Sequence, residues 1–119
     1  MEKHVPSLDR CKRMRELGIE FPESLFVYAW MKEGLGTKKY ETPTVYLREY
    51  LATGVFDYVF PAPLVSELLE VMPDGVSIIK GGDFYSVFLD IDSTLRVDDI
   101  NLPNALADLL IYLKENNDL

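Results

Sequence analysis

The chain is poor in metal-binding and redox-active side chains: Cys11 is its one cysteine and His4 its one histidine, in 119 residues. A single thiol can form no intrachain disulfide, and one thiol with one imidazole cannot fill the four-ligand shell of a structural zinc site. A reducing, cytoplasmic setting is therefore expected, with no metal or cofactor site assigned. Cys11 sits at an apolar position of a helical pattern, which reads as core and not as a nucleophile.

Positive charge is also scarce. Twelve basic residues stand against 20 acidic ones, a formal net charge of −8. The resulting field repels phosphate backbones and anionic lipid, so a general nucleic-acid binder is disfavoured; the small size and lack of a catalytic set favour a protein partner instead. Lys3, Arg10, Lys12, Arg13 and Arg15 gather near the amino end, where they read as the solvated face of a helix. Long hydrophobic runs are missing as well: nowhere do about 18 uncharged apolar residues follow one another, the length a membrane-spanning helix needs. The first residues, Met1 to Pro6, hold no apolar run of signal-peptide length, so neither export nor membrane insertion is expected.

What is present suffices for one core. Hydrophobic residues make up 48% of the chain and aromatics 12%, enough for a single domain at this length. Ser7 is a suitable N-cap; Leu8, Cys11, Met14 and Leu17 follow at helical intervals, and Gly18 suits the left-handed position past the end, giving a helix at about residues 8–17. Leu25 to Met31 alternates two apolar faces and reads as a strand buried on both sides. Gly34, Gly36, Thr37, Lys38 and Lys39 make a polar turn. In residues 43–60 two strands are expected around Gly54, although Leu47 to Leu51 could also form a helical turn.

Pro61 and Pro63 are expected to stop the second of these strands, with Pro63 in the first turn of a short helix that sets Leu64, Leu68 and Met72 on one stripe before Pro73. Val76 to Lys80 and Phe84 to Asp92 form a hairpin around Gly81, Gly82 and Asp83. Arg96 to Asp99 then connect to a last helix, beginning near Pro103, whose Leu102, Ala105, Leu106, Leu109, Leu110 and Leu113 share one face. Together these elements predict a single α+β domain over residues 1–119, a mostly antiparallel sheet with about three helices packed on it.

One segment looks catalytic. In Val87-Phe-Leu-Asp90-Ile-Asp92-Ser-Thr94-Leu95, two carboxylates two apart on one strand would share a face and could hold Mg²⁺. The segment resembles the first motif of haloacid-dehalogenase-type phosphotransferases. That resemblance implies Asp90 as nucleophile and metal ligand, Asp92 as general acid/base and Thr94 in the surrounding loop. Ser93 replaces the family's usual glycine, and residues 93–119 leave room for one helix, not for the later motifs. Thr44, Asp57 and Lys80 lie upstream and could serve only in a permuted topology. The alternative is an ordinary hairpin strand with an acidic end in solvent. Phe26, Tyr28 and Trp30 could stack on bases, but without positive charge they read as core. Gly81, Gly82 and Asp83 precede a strand and not a helix, so they read as a hairpin turn and not as a phosphate loop.

Three longer stretches, Pro6 to Gly18, Ala62 to Pro73 and Asn104 to Asn116, resemble in order and spacing a group of small uncharacterised proteins of bacteria and their phages. The resemblance implies a bacterial, phage or mobile-element origin and no activity; residues 32–60 have no counterpart in it. The function expected from the residues is that of a small, non-enzymatic interaction or accessory protein. The alternatives are a Mg²⁺-dependent phosphotransferase using Asp90 and Asp92 and, further behind, an acidic decoy that mimics nucleic acid.

Overall fold

The structure, a computed structural model, describes residues 2–32, 42–90 and 92–116, with the backbone alone at residues 2 and 92–94. It contains two three-stranded antiparallel sheets and three α-helices, in the expected α+β class. The polar turn expected at Gly34 to Lys39 lies outside the described residues.

A short 3₁₀ turn at Glu2–His4 precedes α1, Leu8–Glu16. The Ser7 hydroxyl caps the helix by accepting from the Arg10 amide, and Gly18 takes φ 78° past its end, as its sequence requires. The first sheet consists of β1 (Phe26–Met31) between β2 (Thr44–Leu47) and β3 (Phe56–Ala62), both antiparallel to β1. β2 and β3 are therefore parallel to each other, and the chain between them must cross one face of β1. The crossing segment is a 3₁₀ turn at Arg48–Thr53, closed by Gly54 at φ 76°.

Cross-strand pairing assigns the two faces. Phe26 and Tyr28 share one with their partners Ala62 and Phe60 and join the main core, where the Tyr28 and Phe60 rings lie 5.5 Å apart. Val27, Ala29 and Met31 share the other with Pro61, Tyr58 and Phe56. There Phe56 packs on Tyr46 at 4.4 Å and stacks with Tyr50 of the crossing turn at 6.3 Å. Both faces are thus covered, which explains why Val27 and Ala29 are fully buried outside the main core.

Two expectations need correction here. β3 runs through Pro61 to Ala62, because it is an edge strand, where proline costs no ladder bond. Helix α2, Val65–Val71, starts two residues after Pro63; Glu67 secures its start by accepting from the Leu64 amide at 2.7 Å. Leu68 and Met72 are buried as the stripe predicted.

The second sheet has the order β4 (Val76–Gly81), β5 (Phe84–Leu89), β6 (Asp92–Asp99). The hairpin between β4 and β5 turns at Gly82 (φ 60°) and Asp83. β6 corrects the sequence reading: β5 ends at Leu89, the chain reverses, and Arg96 to Asp99 form a strand where a connection was expected. Helix α3, Leu102–Glu115, is capped by Asn101 and buries Ala105, Leu106, Leu109, Leu110 and Leu113. It packs against β5, β6, α1 and α2, and α1 in turn packs on β3. One core therefore joins the two sheets through α3. Among the described residues no helix is long and apolar enough to cross a membrane.

Candidate functional site

The acidic motif is the first place to look. Because β5 stops at Leu89 and β6 begins at Asp92, Asp90 and Asp92 flank a reversal and do not share one face of one strand. This corrects the geometric premise of the motif. Asp90 is exposed; its backbone amide donates to the Gly75 carbonyl at 2.7 Å, and its carboxylate accepts a short hydrogen bond from the Ser77 hydroxyl. The side chains of Asp92 and Thr94 lie outside the described residues. Thr44 is on β2 and Asp57 on β3, both in the first sheet, and Lys80 is on β4.

Of the basic residues near the amino end, Lys3 and Lys12 are exposed, while the three arginines take structural roles. Arg10 forms a two-toothed pair with Asp108 on α3 (2.8 and 3.0 Å), also reaches Asp99 and donates to Ser7; the bond to Asp108, then the charges of Asp108 and Asp99, raise its already high pKa. Arg13 pairs with Glu115 at 3.2 Å. Cys11 is buried and donates to the Pro6 carbonyl, which also accepts from Tyr28; burial pushes the thiol up to about 12, so it is inert at neutral pH.

The surface that combines rigid, exposed contact groups lies around the segment Ile19 to Leu25. Ile19, Phe21 and Ser24 are buried and anchor it, leaving Glu20, Pro22 and Glu23 as a ridge. Arg48 clamps the ridge from beneath, donating to the Ser24 carbonyl (2.7 Å), the Ser24 hydroxyl (2.8 Å) and the Phe21 carbonyl (3.4 Å). On one side is a cleft of about 350 Å³ lined by Arg15, Gly18, Pro22, Tyr58 and Pro61. Tyr58 is 44% exposed there. Its ring carries two guanidinium groups within cation–π range, Arg48 at 5.7 Å and Arg15 at 6.0 Å, and Arg15 is itself fixed by a 2.6 Å bond to the Val59 carbonyl.

On the other side of the ridge is a cleft of about 440 Å³ bounded by Glu20, Glu23, Glu67 and Glu70. Glu67 is occupied by the amides of Leu25 and Leu64. Leu25 and Leu69, the one flanking the ridge and the other on the neighbouring helix α2, are both exposed. Sequence reasoning missed this surface. Its parts come from α1, the ridge, the crossing turn, β3 and α2, and Leu25, expected inside the buried strand, instead stands exposed just before β1.

Compared with known protein families, characterised proteins and solved structures, the chain matches none.

Proposed function

We propose that this is a small, non-enzymatic interaction protein that binds a partner protein across the Ile19–Leu25 ridge in a reducing cytoplasm, with the bacterial, phage or mobile-element origin that the resemblance implies. The observation that supports it is Tyr58. An exposed tyrosine flanked by two fixed arginines has the composition of an interface hot spot, and its neighbours are already ordered, so little side-chain entropy is lost on binding. The two clefts differ in charge, with Arg15 on one side and carboxylates on the other. A partner segment that crosses the ridge with an acidic or aromatic group first and a basic group second would complement both. A nucleic-acid decoy is less well supported, because Arg10, Arg13 and Arg96 are interleaved among the carboxylates as ion pairs.

The test is site-specific photocrosslinking in the host cell. A photoreactive side chain in place of Tyr58 is expected to capture one partner protein. The same group in place of Tyr112, an equally exposed tyrosine on α3, is expected to capture none. Equal capture at both positions would overturn the reading, as would Mg²⁺-dependent hydrolysis of an aryl phosphate that is lost in Asp90→Asn.

A further inference from the structure

The second sheet carries a separate surface, independent of the ridge. β4 is an edge strand outside β5 and β6, the two strands of this sheet on which α3 mainly packs: Ile78, on the face turned to the helix, is 39% exposed, and Ile79, on the opposite face, is 55% exposed. The direction of its backbone groups follows from the ladder. The Asp90 amide donates to Gly75, and hydrogen-bonded pairs alternate along an antiparallel ladder, so Ser77, Ile79 and Gly81 bond inward to β5. Val76, Ile78 and Lys80 consequently direct their N–H and C=O groups outward from the sheet.

These three residues are spaced symmetrically about Ile78. A closed two-fold dimer of antiparallel edge strands requires that one residue face its own copy, and a strand centred on an outward-facing residue satisfies every outward group at once. We infer that β4 pairs with β4 of a second copy of this chain, antiparallel about Ile78, joining two three-stranded sheets into one continuous sheet. Ile78 then faces Ile78 of the other copy, and Val76 faces Lys80 twice. Charge selects a second copy over an arbitrary strand: each Lys80, opposite Val76 of the other copy, arrives at the end of β4 where the exposed Asp74 precedes the strand. Asp83, in the hairpin turn, is past the last paired residue. Repulsion between the two net charges of −8 is screened beyond about 8 Å at physiological salt, which leaves these local contacts to decide.

The register makes the test specific. Directly opposed residues of a hydrogen-bonded pair have Cα atoms about 5.5 Å apart, within disulfide reach. Under mild oxidation Ile78→Cys is expected to form a covalent dimer. Lys80→Cys, on the same edge and face but four residues from its own copy, is expected to remain monomeric. Cys11 is buried and does not compete. In sedimentation equilibrium the unaltered protein is expected to show a reversible monomer–dimer equilibrium. Ile78→Pro, which removes an outward N–H and no ladder bond, is expected to abolish that equilibrium while circular dichroism shows the fold retained. A unaltered protein that stays monomeric at its solubility limit, a dimer that persists in folded Ile78→Pro, or Lys80→Cys crosslinking as readily as Ile78→Cys would each overturn the proposal. If Ile78→Pro fails to fold, the cysteine pair decides alone.

Discussion

In the first sheet the central strand β1 has a strand on each edge, the main core on one face and a chain crossing on the other. Among the described residues the second sheet has α3 on one face only and ends in the open strand β4. The contrast shows how connection decides exposure. A crossover between parallel strands must run over a face and so closes it. Hairpins such as those joining β4, β5 and β6 return the chain at once and leave a face uncovered. The bare face of the second sheet is finished instead with a polar group. Ser86 donates to Asp98 at 2.6 Å, and Arg96 bonds both Asp98 (2.9 Å) and Ser86 (3.0 Å).

The largest effect should come from breaking what the two sheets share. Leu106 is fully buried on α3, and Leu106→Asp places an unpaired charge in the core, a cost of several kcal/mol that exceeds much of a small domain's stability of about 5–15 kcal/mol. Circular dichroism is expected to show an unfolded chain at 25 °C; a cooperative melt close to that of the unaltered protein would mean α3 does not hold the sheets together.

A smaller effect separates the sheets themselves. Val27→Ala, under the crossing turn, is expected to cost about 2 kcal/mol from lost burial and a residual cavity. Ile79→Ala, on the bare face, should change stability by no more than about 0.5 kcal/mol at concentrations where the chain is monomeric. Equal losses in urea melts would show that the two faces are covered alike.

These particular residues show how much was legible in advance. The α3 stripe, the Ser7 and Gly18 ends of α1 and the Gly82 hairpin were all readable, because each rests on a local pattern that the fold leaves in place. β1 was read as buried on both sides from its continuous apolar run, though nothing in that run says that the second cover is a 3₁₀ crossing. β6 was missed because its alternation of Leu95, Arg96, Val97 and Asp98 is short and follows two aspartates that suggested a different motif. The candidate interaction surface was not legible at all, since Arg15, Arg48 and Tyr58 meet only after α1, the crossing turn and β3 have packed.

The smallest effect concerns the polar finish of the bare face. Asp98 is held below the usual carboxylate range, first by the Ser86 hydroxyl and then by Arg96. A carboxylate lowered in the folded state contributes stability above its unfolded value, about 3.9, and that contribution is lost as pH falls through the folded value. An NMR titration should therefore place the Asp98 midpoint below about 3.9, and Ser86→Ala should raise it. A midpoint unmoved by Ser86→Ala would remove the hydroxyl from the account.

The contrast between a closed and an open sheet is tested most directly by amide hydrogen exchange at low protein concentration. Val27 and Tyr28, in the middle of β1, should both exchange slowly, since each edge of that strand is paired. Along β4 protection should alternate, with Ser77 and Ile79 slow and Ile78 and Lys80 fast. Uniform protection along β4, or fast exchange at both Val27 and Tyr28, would contradict the account.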